Sequence, residues 1–180
     1  MKKDELVRQI EEYIPIALEE KESKEKILNF LYSNNNFTGR DNIYGHITGS
    51  AWIVSKDRKK TLLTHHIKLN KWLQIGGHVE GEESVIETAL REAEEESGLS
   101  NLRLISDKIF DVDVHLFPQK GEVAAHYHYD IRFLIEADEG DMINRQKSES
   151  KGMKWIALDE ISNYAEENTI LRMTEKIRKS

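Results

Sequence analysis

The first 42 residues show apolar positions at helical spacing among many charged residues. Apolar residues three or four positions apart predict two amphipathic helices, over residues 4–20 and 24–32. Asparagine, glycine and aspartate between residues 34 and 42 then indicate a loop. A segment this short cannot bury a core of its own, so we expect it to pack on the rest of the chain or across a homodimer.

Strand and helix patterns interleave after this N-terminal segment. Apolar runs predict strands at residues 47–55, 61–65, 72–75, 102–116, 123–135 and 153–157, with helical segments from about residue 159 onward. The polar stretch 136–152 lacks periodicity and predicts a long loop beside a functional site. The interleaving predicts a layered α/β fold, with an N-terminal helical extension at 1–42 and a further domain at 43–180.

The clearest helix is predicted over residues 85–97. Ser84 and Glu87 form a capping box at its start, and Gly98 supplies a stop at its end. The apolar residues between them repeat at helical spacing, so the segment has one face suited to packing on a sheet.

Three glutamates of this helix converge on one patch, which an ordinary helix avoids. Glu92, Glu95 and Glu96 are spaced three and four residues apart, at a cost of about 0.2–0.5 kcal/mol per like-charged pair. They also crowd the half of the helix where the dipole is already negative. A divalent cation would turn this repulsion into attraction, because Mg²⁺ prefers carboxylate oxygens and shares its other positions with water and phosphate. The cluster therefore predicts a metal site.

These glutamates belong to a longer pattern that resembles the Nudix box. That box reads glycine, five residues, glutamate, seven residues, and then Arg-Glu-aliphatic-x-Glu-Glu-x-Gly-aliphatic. Ala93, which is small for an aliphatic position, is a mild departure. The resemblance implies a Nudix fold, in which a mixed β-sheet is sandwiched between α-helices. The matching residues are Gly77, Glu83, Arg91, Glu92, Glu95, Glu96, Gly98 and Leu99.

The resemblance also implies an activity. Members of the family hydrolyse a nucleoside diphosphate linked to another moiety, and Mg²⁺ or Mn²⁺ polarises the phosphoryl oxygens. By resemblance, the metal ligands here are Glu92, Glu95, Glu96 and the carbonyl group of Gly76. The Gly76 position suits a plain tight turn equally well. We therefore expect a metal-dependent pyrophosphohydrolase with a nucleotide-type substrate.

An arginine and a general base complete the catalytic group that the resemblance implies. Arg91 is expected to orient nearby carboxylates by charge-assisted hydrogen bonds. The base lies either in the helix or in the polar loop after it, where family members often place it. A loop glutamate in an acidic protein is usually just solvated, which counts against the second choice. The candidates are Glu95, Glu96, Glu149 and, in reserve, Glu122.

A second polar pattern lies on the strand predicted at 123–135. Strand alternation places His126, His128, Asp130 and Arg132 on one face and aromatic or apolar residues on the other. This face is expected to line a substrate pocket, with Arg132 as a fork for phosphate and the histidines as donors. Two other interpretations stay open: solvated cross-strand pairing, and a zinc site for which no third spaced ligand is evident.

The residues just ahead of the box add little about the substrate. Lys71 is a further candidate for substrate binding, and Trp72 suits either a stack on a base or the core. No upstream signature for coenzyme A is present, and no downstream motif points to NADH, ADP-ribose or dinucleoside polyphosphates. The sequence therefore predicts the bond that is cleaved, not the substrate.

Composition narrows the classes of protein. The chain has 180 residues, 38% of them hydrophobic, which suits one globular domain with an appendage. The absence of cysteine excludes disulfides, thiolate metal sites and a cysteine nucleophile. No apolar run suits a membrane span or a signal core, so we expect a cytoplasmic location without membrane binding. The net charge of −7 argues against general nucleic-acid binding, yet permits a phosphorylated small molecule whose charge metal ions neutralise.

Two other functions stay open at this point. A nucleotide-binding or regulatory module with a Nudix fold would bind without turnover, but it has no evident need for the full glutamate cluster. Isopentenyl diphosphate isomerase shares the fold, but its family uses a catalytic cysteine and this chain has none.

Overall fold

The computed structural model describes residues 2–119, 121, 124–145 and 150–179. Its helices are α1 (Lys3–Glu12), α2 (Leu18–Ser33), α3 (Val85–Ser97) and α4 (Asn168–Arg178). Its strands are β1 (Gly45–Ser55), β2 (Lys60–His66), β3 (Lys71–Leu73), β4 (Ile75–His78), β5 (Arg103–Leu104), β6 (Asp111–Phe117), β7 (His126–Ala137) and β8 (Ser150–Ala157). Within the described ranges, no helix combines the length and apolarity needed to cross a membrane.

Strand β1 is the centre of a mixed sheet. It runs parallel to β7 along its whole length, from Gly45 opposite Tyr127 to Ser55 opposite Ala137. It also pairs antiparallel with β4 and, nearer its end, with β2. Strand β7 pairs in turn with β5 and β6, and β2 pairs with β3 and β8, all antiparallel. The mixed sheet confirms the predicted α/β architecture.

Helices cover both faces of this sheet. Helix α3 packs against the face that carries Gly49 and Gly77, since a Cβ on Gly49 would lie 2.5 Å from the carbonyl oxygen of Val85. Helix α4 covers the opposite face, where Met173 joins a buried cluster with Trp52 of β1. The sheet therefore lies between helices, as the resemblance implies.

The two N-terminal helices also pack on the sheet. Leu6 of α1 and Phe30 of α2 are buried in the same cluster as Ile47 and Ile131 of the sheet. Phe30 stacks on Tyr129 of β7, with ring centroids 4.0 Å apart. Of the two arrangements expected for the extension, the structure shows packing on the rest of the chain.

The first helix is shorter than predicted. Helix α1 ends at Glu12 and α2 begins at Leu18, whereas the apolar spacing predicted one continuous helix across this stretch. Pro15 explains the error, because proline lacks an N–H group and disfavours helical backbone in the residue before it. Ile14 and Ile16 consequently remain 80% and 67% exposed.

Two predicted strands are each divided in the structure. The strand expected at 72–75 becomes β3 and β4, which pair with different neighbours, β2 and β1. The strand expected at 102–116 becomes β5 and β6. Between them the hydroxyl of Ser106 accepts a hydrogen bond from the backbone N–H of Lys108 at 3.1 Å, which stabilises a turn. Residues 138–145, in the predicted loop, contain neither helix nor strand.

Candidate active site

Helix α3 begins and ends where its local sequence predicts. The backbone N–H of Ser84 donates to the Glu87 carboxylate at 2.7 Å, and the Ser84 hydroxyl accepts from the backbone N–H of Glu87. Gly98 adopts a left-handed conformation with φ 73°, and its N–H donates to the carbonyl of Glu94. These caps set the bounds of α3 and therefore the positions of its acidic residues.

Arg91 joins α3 to the end of β4. Its Nε and Nη2 donate to the two carboxylate oxygens of Glu83 at 3.1 and 2.9 Å, and Nη2 also donates to the carbonyl of His78 at 2.9 Å. The hydrogen bond with Glu83 raises the pKa of Arg91, so the guanidinium keeps its charge. Burial acts to raise the pKa of Glu83, but the hydrogen bonds from Arg91 and from the backbone N–H of Glu80 outweigh it and lower that pKa. The pair is therefore charged at neutral pH.

The third nitrogen of Arg91 holds two of the clustered glutamates. Its Nη1 donates to Glu92 at 2.9 Å and to Glu95 at 3.0 Å. Glu87, one turn before Arg91, is instead bound to Ser84 at the helix cap. Arg91 thus orients carboxylates, which is the contact expected of it; its part in the reaction stays a prediction.

The Glu92 carboxylate lies directly over Gly77 of β4, whereas the neighbouring Gly76 faces Ser50 on the other side of the sheet. A Cβ built on Gly77 would lie 2.1 Å from Oε1 of Glu92, and a Cβ on Gly76 would lie 2.1 Å from the hydroxyl oxygen of Ser50. Only glycine leaves room at both positions. Because Gly77 has no side chain, the Glu92 carboxylate of α3 can lie against the backbone of β4.

This region offers the donors that a hard divalent cation prefers. Glu96 is 5% exposed, whereas 14% of the Glu92 side chain and 55% of the Glu95 side chain are exposed. Carboxylate and carbonyl oxygens are the ligands typical of Mg²⁺ and Mn²⁺. The donor types therefore fit the ion that the Nudix resemblance implies. Arg91 brings Glu92 and Glu95 together, but among the described residues the three glutamates do not place one oxygen each within 4.8 Å of one another.

The polar face predicted on β7 continues across neighbouring strands. Asp130 is buried and accepts hydrogen bonds from the hydroxyls of Thr48 and Ser50 of β1, at 2.9 and 2.7 Å. It also accepts from Nε of Arg132 at 2.7 Å. The predicted alternation along β7 is confirmed, and this face lies on the side of the sheet away from α3.

Arg132 is buried among aspartates. It is 2% exposed and pairs with Asp130, with Asp111 at 3.1 Å and with Asp113 at 3.3 Å. Burial acts to lower the pKa of Arg132, but the three carboxylates outweigh it and raise that pKa. A substrate phosphate would have to displace one of them, so this geometry favours a structural role over the expected phosphate fork. The two β6 aspartates were missed because only strand pairing places them opposite Arg132 and Asp130.

Most of the chain matches a known protein family. The profile of the NUDIX domain matches residues 46–176. The chain belongs to the Nudix family. It is accordingly a hydrolase that acts on pyrophosphate bonds.

Relatives of this Nudix hydrolase carry several names. A probable DHNTP pyrophosphohydrolase from Lactococcus lactis subsp. cremoris is 32% identical over 140 residues, which span 76% of this chain and 80% of the relative. An asymmetrical bis(5'-nucleosyl)-tetraphosphatase from Rattus norvegicus is 30% identical over 98 residues, 54% of this chain and 63% of the relative. A solved NUDIX-family hydrolase from Clostridium perfringens aligns with a TM-score of 0.52 at 28% identity, covering 74% of this chain and 96% of that chain. A C. elegans Ap4A hydrolase has a TM-score of 0.59 at 20% identity over 74% of this chain and 95% of that chain, which shows the shared fold alone.

The remaining candidates of the Nudix hydrolase lie apart from Arg91 or outside the described residues. Lys71 pairs with Glu167 at 2.8 Å, at a groove of 480 Å³ that Trp72 also lines. Glu149 and the reserve candidate Glu122 fall outside the residues that the structure describes. The general base in the loop therefore stays a prediction.

The histidines of β7 meet two others that the sequence did not connect with them. Nε2 of His126 lies 3.2 Å from Nε2 of His128. The ring centroids of His46 and His78 lie 4.9 and 5.2 Å from that of His128. No spacing in the sequence signals this group, because its members come from three strands.

Proposed function

We propose that this Nudix hydrolase is metal-dependent and holds Mg²⁺ or Mn²⁺ with Glu92, Glu95, Glu96 and the carbonyl of Gly76. The observation that supports the proposal is the double contact of Arg91 with Glu92 and Glu95 beside Gly77. Like-charged groups gathered in this way repel one another, and a bound cation removes that cost. Arg91 supplies one positive charge to this group, and a divalent cation would balance the remaining carboxylate charge.

We assign different roles in hydrolysis to Arg91 and to the glutamates. Arg91 keeps the carboxylates in place, and Glu95 or Glu96 takes the proton from the attacking water, with Glu149 as the alternative base. Glu95 is the more exposed of the two helix residues, so water reaches it most easily. The bound ion would polarise the phosphoryl oxygens and stabilise the charge on the leaving group.

The substrate that we propose is a nucleotide-type molecule with a pyrophosphate bond. One relative is named a DHNTP pyrophosphohydrolase and another a bis(5'-nucleosyl)-tetraphosphatase. Both names support a substrate in which a phosphate chain joins a larger organic group. Substrate contacts by Lys71, His126, His128 and Arg132 stay predictions, as do a cytoplasmic location and a homodimer.

A substrate panel tests this proposal. Dihydroneopterin triphosphate, a bis(5'-nucleosyl) tetraphosphate, nucleoside triphosphates and nucleoside diphosphate-linked compounds are each incubated with the protein in Mg²⁺, in Mn²⁺ and in chelator. We expect hydrolysis of at least one compound with either metal and none in chelator. Full turnover in chelator would reject the metal assignment.

Variants on the best substrate of the panel then test the residues. Glu95→Gln and Glu96→Gln should lower kcat by about 10²–10⁴-fold, the range typical of a lost acid–base or ligand group. Glu94→Gln is the matched control, because Glu94 lies on the same helix but is not one of the residues fixed by the Nudix box. Near-parent turnover in both of the first two variants would show that the cluster does not carry the reaction.

A further inference from the structure

Three histidines from three strands converge on one point of the sheet. We call His46 of β1, His78 of β4 and His128 of β7 the histidine triad. One ring nitrogen from each lies within 4.8 Å of the other two. The ring centroids are 4.7 Å apart for His46 and His78, 4.9 Å for His46 and His128, and 5.2 Å for His78 and His128. This spacing leaves room for a single ion between the rings.

Strand register explains the convergence. His46 lies directly opposite His128 in the parallel pairing of β1 with β7. His78 lies opposite Thr48, two residues after His46, in the antiparallel pairing of β1 with β4. Residues two apart on a strand share a face, so all three histidines project from the same side of the sheet. The triad is therefore held by the central pairings of the fold.

The triad is separate from the glutamate cluster. Gly77 precedes His78 on β4 and points to the other side of the sheet, where its Cβ position faces Glu92 of α3. The sheet thus stands between the carboxylates of the Nudix box and the imidazoles of the triad. A ligand of the triad would occupy a second site, with nitrogen donors in place of oxygen donors.

His46 lacks the hydrogen bonds that a buried imidazole needs. It is 1% exposed, and neither Nδ1 nor Nε2 has a hydrogen-bond partner among the described residues. A buried polar atom without a partner costs about 1–3 kcal/mol. Coordination of an ion by either nitrogen would remove that cost for one of them.

The triad is also neutral at physiological pH, which is the form that binds metals. Burial is the main cause that lowers the pKa of each ring, to about 4 for His46, about 3 for His78 and about 2 for His128. The positive charge of Arg40 adds to the effect for His78 and His46.

We propose that the histidine triad binds Zn²⁺ or a similar transition-metal ion, as a site distinct from the glutamate cluster. Imidazole suits Zn²⁺, Co²⁺, Ni²⁺ and Cu²⁺, whereas Mg²⁺ prefers oxygen. Three histidines with a fourth position for water form a known zinc coordination, with Zn–N distances of about 2.0–2.1 Å. A tetrahedral ion would draw the ligand nitrogens, now within 4.8 Å of one another, to about 3.4 Å apart.

Metal titration of the full chain tests the proposal. The protein is treated with chelator, exchanged into buffer with excess Mg²⁺ to occupy the carboxylates, and titrated with Co²⁺ and then Zn²⁺. We expect one equivalent of Co²⁺ with the visible absorption of tetrahedral nitrogen ligation, its displacement by Zn²⁺, and a higher melting temperature with Zn²⁺. A parent protein that binds no stoichiometric Co²⁺ under these conditions would overturn the proposal.

Variants assign the site and keep it apart from the proposed function. His78→Gln and His128→Gln should bind Co²⁺ at least about tenfold more weakly, since each removes one of three ligands. His65→Gln should bind like the parent, because His65 stacks on Trp72 away from the triad. Glu92→Gln should lose Mg²⁺-dependent turnover but keep the Co²⁺ spectrum, so failure of one site leaves the other testable.

If a triad variant does not fold, nuclear magnetic resonance of the parent protein can still identify the histidines that bind Zn²⁺. Zn²⁺ should shift the imidazole resonances of the triad and leave that of His65 unchanged. Unaltered Co²⁺ binding in both folded triad variants, or shifts confined to other histidines, would overturn the assignment.

Discussion

Glu20 of α2 and Lys176 of α4 form an ion pair in the protein interior. Glu20 is fully buried, and Lys176 also donates to the Asp111 carboxylate of β6 at 2.7 Å. The ammonium group therefore joins an N-terminal helix, the C-terminal helix and the sheet. The N-terminal segment, expected to be an extension, therefore contributes the buried carboxylate of Glu20 to an ion pair with the C-terminal helix.

Replacing this lysine should destabilise the whole fold. Lys176→Met leaves Glu20 with only Arg172, 3.9 Å away, as a counter-charge and removes one of the three cations around Asp111, so we expect the free energy of unfolding to fall by about 3 kcal/mol. Urea denaturation followed by circular dichroism measures the change. Lys179→Met, one turn later and exposed, should stay within about 0.5 kcal/mol of the parent. A similarly small effect for Lys176→Met would mean that α2 and α4 are not coupled in this way.

Gly77→Ala should affect chemistry more than folding. The new methyl group would overlap the Glu92 carboxylate and push it away from β4. We expect a loss of about 1–3 kcal/mol in stability, typical of overpacking, and a fall in kcat of at least about tenfold on the best panel substrate. Gly152→Ala is the control, because a Cβ there meets nothing within 4 Å. Equal kcat values for the two variants would show that the position of Glu92 is unimportant for turnover.

Arg91→Lys tests whether the guanidinium positions the carboxylates. Lysine cannot make the forked contact with Glu83 while also holding Glu92 and Glu95. Losing one charge-assisted hydrogen bond, at about 1.5–3 kcal/mol, should lower kcat/KM by about 10–150-fold. The Mg²⁺ concentration at half-maximal rate should rise as well, which a purely structural defect would not cause.

A surface pair provides the matched control for Arg91→Lys. Arg103 makes a similar forked contact with Glu136, at 3.0 and 2.7 Å, but 63% of its side chain is exposed. Arg103→Lys should therefore leave both the rate and the Mg²⁺ dependence near parent values. If Arg91→Lys matched it in both measurements, the orienting role would be wrong.

Features set by neighbouring residues were predictable from the sequence. The bounds of α3 follow from Ser84 at one end and Gly98 at the other, and both act within a few residues of themselves. The error at Pro15 has the same local origin, because apolar periodicity outweighed a proline that was visible in the sequence. Capping residues, glycine and proline therefore predict where a helix begins and ends, provided that they are considered together with the apolar periodicity.

Features set by strand register were not predictable. The alternation along β7 placed His128 and Arg132 on one face, but the partners of that face come from other strands. His46 lies opposite His128 because β1 pairs with β7 in one particular register. Asp111 lies opposite Arg132 because β6 pairs with the other edge of β7 in a register that is equally fixed. A shift of one residue in either pairing would send these side chains to the opposite face.

The aspartates around Arg132 change the expected result of its replacement. Substrate binding would predict a loss in kcat/KM, whereas burial among three carboxylates predicts a loss of about 3–5 kcal/mol in stability for Arg132→Met. Urea denaturation and steady-state kinetics on the folded fraction separate the two. Arg103→Met, on the surface, is the control for stability. A stable variant with kcat/KM reduced by about 10–150-fold would restore Arg132 as a phosphate ligand.

Acid stability should depend on Asp113. Burial acts to raise the pKa of Asp113, but the hydrogen bond with His115 and the charge of Arg132 outweigh it and lower the pKa to about 2, from an ordinary 3.8. Because the unfolded chain binds this proton more readily, the carboxylate adds stability above about pH 4 that is lost as the pH falls towards 2. The full contribution is roughly 2 kcal/mol.

Urea denaturation at several pH values measures this contribution. The free-energy difference between the parent and Asp113→Asn should be largest at pH 5, because there the parent carboxylate is charged. It should shrink by roughly 1 kcal/mol at pH 3 and continue to shrink below that, because protonation removes the same charge from the parent. Asp107→Asn, in the exposed turn between β5 and β6, should follow the parent across this range. A difference for Asp113→Asn that stays constant from pH 5 to pH 3 would show that the ion pairs of Asp113 do not stabilise its charge.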